Sequence, residues 1–284
     1  MTASSDPRLS YCGEQVRRFD HDRYLTCLFA PAAAREDLFA LYAFNHEIAK
    51  VAEIVTEPMA GQIRIQWWRE GLDDLYAGEP RKHEVAEALA GAVQRHGLTR
   101  QAFERLLDAR ETDLDDDPPE TLDHLTRYAE ETSATLVQLA LEVLGAHDDA
   151  SMRAGRHVGV AWALTGIARA VPFHAAQRRL MLPGNLTWQA GLDVHDLFEL
   201  REPAEVQPVV RQVTERAEDH LREAEALRRR VPRDAVPALL PATLARRYLA
   251  LLKRHEHDPF APEVQRPQPG RPMRLAWAAA RGRF

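Results

Sequence analysis

The sequence is poor in cysteine and has no long uninterrupted apolar run. Its two cysteines, Cys12 and Cys27, fit neither a disulfide framework nor the spacing of a zinc site, and they indicate ordinary thiols in a reducing compartment. No window approaches the roughly 18 apolar residues of a membrane-spanning helix. The N-terminus has no basic region followed by an apolar segment. We therefore expect a cytoplasmic protein, with peripheral membrane contact left open.

An excess of positive charge is also absent. The chain carries a net charge of −6 with an isoelectric point near 6.1, which argues against a nucleic acid as its main partner. A basic run does occur at 228–230, but acids such as Glu223 and Glu225 share its segment. We expect no nucleic-acid partner.

Helical periodicity dominates, and no segment shows the alternating pattern of a strand. With 284 residues, of which 45% are hydrophobic, the chain is long enough to bury a sizeable core. No linker is long or polar enough to divide it, so we predict one all-α domain over 1–284. The strongest patterns predict helices over 38–57, 61–76, 83–96, 99–112, 122 onward, 136–144, 152–174, 201–231 and 243–254.

Details of two of these helices can be predicted from single residues. Pro58 is expected to end the helix over 38–57, because proline cannot continue a helical hydrogen-bond pattern. In the helix over 61–76, the side chains of Ile63, Trp67 and Leu75 are expected to be buried. Thr121 is expected to cap the helix that starts near 122.

Two further segments differ from the helical pattern. The run D-L-D-D-D-P-P-E at 113–120 is acidic and broken by proline, and it predicts a solvated loop. The tail at 266–284 carries five arginines and no acid, interleaved with Leu275, Trp277 and Phe284. Such a basic and aromatic tail fits an anionic lipid surface or a groove of a partner, and the alternative is a tail packed on its own domain.

Two segments carry a resemblance to a known family. Residues 38–57 read L-F-A-L-Y-A-F-N-H-E-I-A-K-V-A-E-I-V-T-E, and residues 159–183 read G-V-A-W-A-L-T-G-I-A-R-A-V-P-F-H-A-A-Q-R-R-L-M-L-P. They resemble the paired signatures of the squalene/phytoene synthase family, A-F-C-R-x-x-D-D-x-x-D and Q-L-T-N-I-x-R-D-x-x-x-D followed by Y-L-P. The resemblance implies an isoprenoid-synthase fold, a single-domain helical bundle around a central cavity. In the family, the two signatures form two walls that hold magnesium against a prenyl diphosphate.

The aspartates of both signatures are missing here. The first pair falls on Ala49 and Lys50 and the third acid on Glu53, whereas the aspartates of the second wall fall on Ala170 and His174. Magnesium needs oxygen ligands, and neither alanine nor lysine supplies one. We therefore expect no metal site, no cofactor and no catalytic residue. Magnesium remains the alternative cofactor if the chain is a residual prenyltransferase.

Other features of the two walls match the family. Pro31 and Arg35 precede the first signature at the expected offset, Arg169 keeps the arginine of the second, and L-P at 182–183 matches its end. Glu53 and Glu57 form a carboxylate pair one helical turn apart, a spacing that is also common on solvated helix faces. His46 and His174 are possible metal ligands only on paper, because the second wall offers no carboxylate beside them.

Seven residues are candidates for lining the pocket or binding a ligand. Arg35, Arg64 and Arg169 could hold a diphosphate together with Lys50. Trp68, in the pair Trp67–Trp68, could cap the pocket or fill volume that a substrate tail would use, although core packing is the simpler interpretation. The full set is Arg35, Tyr42, His46, Glu57, Arg64, Trp68 and Arg169.

The amino-acid sequences of three stretches resemble one branch of the family in particular. These stretches are R-Y-L-T-C-L-F-A-P at 23–31, F-A-L-Y-A-F-N-H-E-I-A at 39–49 and E-P-M-A-G-Q-I-R-I-Q-W-W-R-E at 57–70. That branch includes a mitochondrial assembly factor of respiratory complex I and its alphaproteobacterial relatives, and it too lacks the aspartates. The resemblance implies a non-enzymatic protein that binds a complex I subunit or assembly intermediate, located in the cytoplasm or peripherally on the inner membrane.

Two alternatives stay open. The chain could bind a prenyl diphosphate or another isoprenoid without turnover, or act as a prenyltransferase with altered metal ligands. It could also be an all-α interaction module of unrelated role.

Overall fold

The computed structural model describes residues 9–284, and within them it contains helices and no strand. The helices run, in chain order, α1 Tyr11–Phe19, α2 His21–Cys27, α3 Ala32–Ala49, α4 Val51–Ile54, α5 Pro58–Tyr76, α6 Glu84–His96, α7 Arg100–Glu111, α8 Leu122–Ala129, α9 Thr135–Val143, α10 Asp149–Arg169, α11 Val171–Ala176, α12 Gly184–Ala190, α13 Val194–Phe198, α14 Val206–Leu227, α15 Val236–Leu239, α16 Pro241–Arg254, α17 Pro262–Gln265 and α18 Arg271–Ala280. This all-α architecture is the predicted fold class.

Side chains at the helix ends explain several boundaries. The hydroxyl of Thr121 accepts a hydrogen bond from the backbone N–H of His124, as predicted, and Asp148 caps α10 in the same way through Ser151. Gly97 ends α6 with a φ of 63°, a left-handed conformation that glycine adopts without strain.

The core is centred on α10, which packs most extensively along α14 and also contacts α9 and α16. Helix α3 also contacts α9, and it packs against α1 and α6. The ring of Phe44 lies edge-on to Trp68 at 5.2 Å and to Phe103 at 5.4 Å between centroids, so that aromatic side chains fill the space between α3, α5 and α7.

One glycine allows the backbone of α10 to lie very close to the chain segment before α9. Residues Glu130–Ala134 form a π-helical turn between α8 and α9, and Gly159 of α10 lies against it. A Cβ atom at Gly159 would lie 2.3 Å from the Cα atom of Ala134, which is far inside van der Waals contact. Only glycine allows the two backbones this separation.

Both predicted walls are broken helices. The first wall ends as α3 at Ala49, continues as the single turn α4, and reaches Pro58 as the first residue of α5. The prediction that Pro58 ends a helix was therefore wrong, because proline at a first helical position lacks only an N–H that has no partner there. The second wall breaks at Ala170, since Pro172 of α11 cannot extend the hydrogen bonds of α10.

The buried face of α5 is also shifted from the predicted one. Ile63 is 65% exposed, whereas Ile65 and Trp68 are buried; of the predicted residues, Leu75 is buried and Trp67 only partly so. The acidic run is not wholly a loop either, because its first residues belong to the 3₁₀ turn Thr112–Leu114; the exposed residues of the run are Asp115, Asp116, Asp117 and Glu120.

The tail contains α18, which packs against α2 and α16 through the buried side chains of Leu275 and Ala278. Phe284 is buried as well. Cys12 and Cys27 are both free and buried, and burial raises the pKa of the Cys12 thiol to about 11. Within 9–284, no single helix meets the length and hydropathy needed to cross a membrane, although the bent pair Arg233–Leu239 and Pro241–Arg254 meets them jointly.

Candidate functional site

The first wall presents no aspartate where the family pattern has two. Ala49 is the last residue of α3, and the ammonium of Lys50 donates to Glu47 at 2.5 Å. Glu53 lies on α4 and Glu57 immediately before α5, and both side chains are exposed. This wall therefore ends in one lysine-glutamate pair and two solvated carboxylates, one on α4 and one just before α5.

The second wall places the buried, neutral imidazole of His174 near the guanidinium of Arg179. Ala170 ends α10, and His174 lies one turn farther on α11 with its Nδ1 atom buried and without a hydrogen-bond partner in the described residues. Burial, with the neighbouring Arg179 second, lowers the pKa of His174 to about 4. The imidazole is therefore uncharged at neutral pH.

A polar cavity of about 280 Å³ lies beside both walls. Glu53 and Glu57 line it from the first wall, Asp113 and Asp116 from the acidic run, and Arg179 from the segment after α11. A neighbouring cavity of about 420 Å³ shares Asp113, Asp116 and Arg179 and extends to Tyr128. The structure thus brings the predicted residues Glu53 and Glu57 together with charged residues that the sequence had not assigned to the site.

The inner end of this region is an ion-pair cluster formed by Arg110, Asp113 and Tyr128. Arg110 Nη1 donates to Asp113 Oδ2 at 3.0 Å and to the Tyr128 hydroxyl at 2.6 Å, and that hydroxyl donates to Asp113 at 3.1 Å. Arg179 Nη2 donates to the backbone carbonyl of Asp113 at 2.7 Å. Burial raises the pKa of Tyr128, so its hydroxyl stays protonated.

These side chains do not fit the magnesium ions that the family pattern implies. Magnesium prefers several carboxylate oxygens in octahedral geometry. Asp113, the buried carboxylate of the cavity, is already bound to Arg110 and Tyr128, and the second wall supplies His174 in place of an acid. Among residues 9–284, no three His, Cys, Asp or Glu side chains are grouped so that they could hold a metal ion.

The predicted set of diphosphate-binding cations is not one cluster. Arg35 lies at the start of α3 and Lys50 just past its end, which separates them by about 22 Å of helix. The Arg35 guanidinium donates to the carbonyl of Ala30 at 3.0 Å, and Arg169 stacks on the ring of Tyr248 at 3.7 Å. Arg64 is exposed on α5. The structure therefore does not gather these four cations into one cluster, and their binding of a diphosphate stays a prediction.

The remaining candidate pocket residues, Tyr42, His46 and Trp68, pack against other side chains of the bundle. Tyr42 is fully buried beside Arg23, which lies 5.5 Å from its ring centroid, and His46 stacks on Phe19 at 4.4 Å. Trp68 belongs to the hydrophobic core and contacts Phe44. The interpretation of Trp68 as a core residue is confirmed.

Arg179 and Arg110 belong to the site but were not predicted from the sequence. Arg179 bonds to Asp113 across 66 positions of sequence, and no periodic pattern connects the two. For Arg110 a signal did exist, because it lies three residues before Asp113, one helical turn apart.

Comparison with known proteins defines the class first. The fold is that of the isoprenoid synthases: a dehydrosqualene synthase crystal structure superposes with a TM-score of 0.81 at 19% identity, covering 95% of this chain and 94% of that one. A squalene synthase from Alicyclobacillus acidocaldarius gives a TM-score of 0.76 at 22% identity, covering 88% and 94%.

The family model described as squalene/phytoene synthase matches residues 16–274, and the chain belongs to this family. It is 35% identical over 274 residues to complex I assembly factor 6 of Bos taurus, covering 96% of this chain and 82% of the relative. The Homo sapiens assembly factor 6 is 34% identical over 255 residues, covering 90% and 77%. A presqualene diphosphate synthase of Rhodopseudomonas palustris is 28% identical over 235 residues, covering 81% of each.

Proposed function

We propose that this chain is a catalytically degenerate member of the squalene/phytoene synthase family that acts as an assembly factor of respiratory complex I. The similarity to assembly factor 6 supports this role, because it extends over 96% of the chain and is not confined to one motif. The proposed partner is a subunit or assembly intermediate of complex I. The proposed location is the cytoplasm, with peripheral attachment to the inner membrane.

The observation that carries the proposal is the chemistry of the two walls. Departure of a diphosphate requires neutralisation of the negative charge that develops on it, which magnesium provides when carboxylates hold it in place. Here Ala49 and Ala170 supply no ligand, Lys50 is bound to Glu47, and His174 is a neutral imidazole beside Arg179. These residues favour loss of ionisation chemistry with retention of the helical scaffold.

Deletion of the gene in the source organism tests this proposal. We expect the NADH:quinone oxidoreductase activity of isolated membranes to decrease, while squalene and carotenoid contents stay unchanged. Complementation with the wild-type chain and with Glu53→Ala should restore that activity equally, since Glu53 has no catalytic task in this account. Normal oxidoreductase activity with loss of squalene or carotenoid would refute the proposal.

A second candidate function is binding or turnover of a prenyl diphosphate with altered ligands. Two observations favour it: the similarity to presqualene diphosphate synthase, and the four carboxylates that line the 280 Å³ cavity with Arg179. Incubation of the purified chain with farnesyl or geranylgeranyl diphosphate and magnesium tests for turnover. A product that forms with the wild type and is lost in Glu53→Ala would establish an enzyme, whereas unchanged substrate supports the assembly role.

A further inference from the structure

The outer face of α18 combines exposed apolar and basic side chains. Met273 and Trp277, one helical turn apart, are 75% and 56% exposed. Arg274 and Arg281 flank them, and the Arg281 guanidinium lies 3.9 Å from the centroid of the Trp277 ring. We call these four residues the α18 face.

The helix that carries the α18 face is anchored to the bundle by packing and hydrogen bonds. Leu275 and Ala278 anchor the opposite side of α18 in a cluster with residues of α2 and α16. Arg271, at the start of the helix, donates to Asp22 at 2.5 Å, and the hydroxyl of Tyr248 donates to the same carboxylate at 2.7 Å. Met273 and Trp277 therefore project outward from a helix whose opposite side is packed on the bundle.

The C-terminal segment that contains this face differs in charge from the rest of the chain. Residues 266–284 carry five arginines and no acid, and since the whole chain carries −6, residues 1–265 carry −11. Arg266, Arg274, Arg281 and Arg283 form no ion pair with any carboxylate among residues 9–284. The C-terminal segment of an otherwise acidic chain thus carries several arginines without an ion-pair partner in the described residues, which favours an anionic partner surface.

We propose that the α18 face docks on an anionic lipid bilayer. Trp277 and Met273 would enter the boundary between headgroups and acyl chains, and the arginines would lie at the level of the lipid phosphates. A lipid surface suits this face because its two exposed apolar side chains are accompanied by arginines that form no ion pair among residues 9–284. The inference rests on the proposed peripheral attachment to the inner membrane and names the surface that would make it, whereas the assembly role could hold without it.

Flotation of the full chain with lipid vesicles tests the proposal. Vesicles of phosphatidylcholine containing about a quarter phosphatidylglycerol provide the anionic surface, and pure phosphatidylcholine vesicles provide the neutral one. We expect binding to the anionic vesicles alone, reduced by about 0.5 M sodium chloride through screening. Equal binding to both vesicle types, or binding to neither, would overturn the proposal.

Point variants assign the binding to α18. The double variant Met273→Ser/Trp277→Ser and the double variant Arg274→Glu/Arg281→Glu should each weaken binding about tenfold or more. Truncation is unsuitable, because Leu275 and Phe284 are buried and their loss would expose the core. Circular dichroism and thermal melting should show the wild-type fold in both variants, since the replaced side chains face solvent.

Matched control variants replace equally exposed residues elsewhere. Trp188, which is 83% exposed on α12, controls for loss of an exposed aromatic side chain, and Arg153 on α10 controls for reversal of an exposed charge. Trp188→Ser and Arg153→Glu should bind the anionic vesicles like the wild type. Vesicle binding retained by the α18 variants would refute the proposal. If the wild type did not bind vesicles, and the α18 variants instead lost binding to a protein partner, the α18 face would be a protein-binding surface and the proposal would be refuted.

Discussion

The guanidinium of Arg110 donates to the carboxylate of Asp113 at 3.0 Å, and both side chains are largely withdrawn from solvent. Asp113 belongs to an acidic run whose composition is typical of a solvated loop, yet its side chain is only 9% exposed. The pair joins the end of α7 to the cavity beside the two walls. It is therefore a structural feature as well as part of the candidate site.

Replacement of Asp113 tests how far the ion pair supports the fold. Asp113→Ala leaves the buried guanidinium of Arg110 without its carboxylate, and we expect the free energy of unfolding to decrease by about 3 kcal/mol. Asp116→Ala, in the same run but solvated, should change it by less than about 0.5 kcal/mol. Urea denaturation measures both values. Equal effects would mean that Asp113 behaves as an ordinary loop residue.

The contact between Gly159 and Ala134 gives a second prediction. A methyl group at position 159 would overlap the backbone of the π-helical turn, which cannot rotate away as a side chain can. We expect Gly159→Ala to destabilise the chain by about 3 kcal/mol. Gly166 lies on the same helix with open space around it, so Gly166→Ala should stabilise by about 0.5 kcal/mol.

Thermal melting of these two variants separates the mechanisms. If helix propensity alone determined the effect, both Gly159→Ala and Gly166→Ala would raise the melting temperature. The predicted result is a lower melting temperature for Gly159→Ala and a higher one for Gly166→Ala.

The protonation of His174 should make stability depend on pH. Its pKa is about 4 in the folded chain because of burial and the nearby Arg179, compared with 6.5 for an ordinary histidine. The unfolded chain therefore binds the proton more tightly than the folded chain. The contribution of His174 to the free energy of unfolding is complete above pH 6.5 and is lost as the pH falls toward 4. We expect a loss on the order of 2 kcal/mol over that range. His220, whose pKa burial also lowers to about 4, acts in the same direction.

The variant His174→Gln should show a flatter dependence of the free energy of unfolding on pH between 6.5 and 4, measured by urea denaturation at several pH values. His147, which is exposed, supplies the control, and His147→Gln should retain the wild-type slope. A wild-type slope in His174→Gln would show that His174 titrates alike in both states.

The sequence indicated the helices and the family better than it indicated the site. The cap at Thr121 and the matching residues of both signatures depend on local pattern and were reliable. Pro58 was ambiguous because proline is unfavourable inside a helix but favourable at its first position. The burial of α5 was misassigned at Ile63 because a shift of one or two residues along a helix rotates the buried face by 100° or more.

The site itself was only half predictable. Glu53 and His174 follow from alignment with the family pattern and Glu57 from its spacing of one helical turn to Glu53. Their environment depends on Arg179 and Asp113, which meet across 66 positions. The burial of Asp113 results from tertiary packing against Tyr128, and no property of the acidic run distinguishes it from its solvated neighbours. The separation of Arg35 from Lys50, by contrast, follows from helix length alone.

Calorimetric titration with magnesium, in the presence of a non-hydrolysable farnesyl diphosphate analogue, tests the central claim most directly. A family synthase that retains its aspartates serves as the positive control. Because Ala49, Lys50, Ala170 and His174 supply no carboxylate, the account predicts no stoichiometric magnesium binding by this chain. Stoichiometric binding that disappears in Glu53→Ala would contradict it.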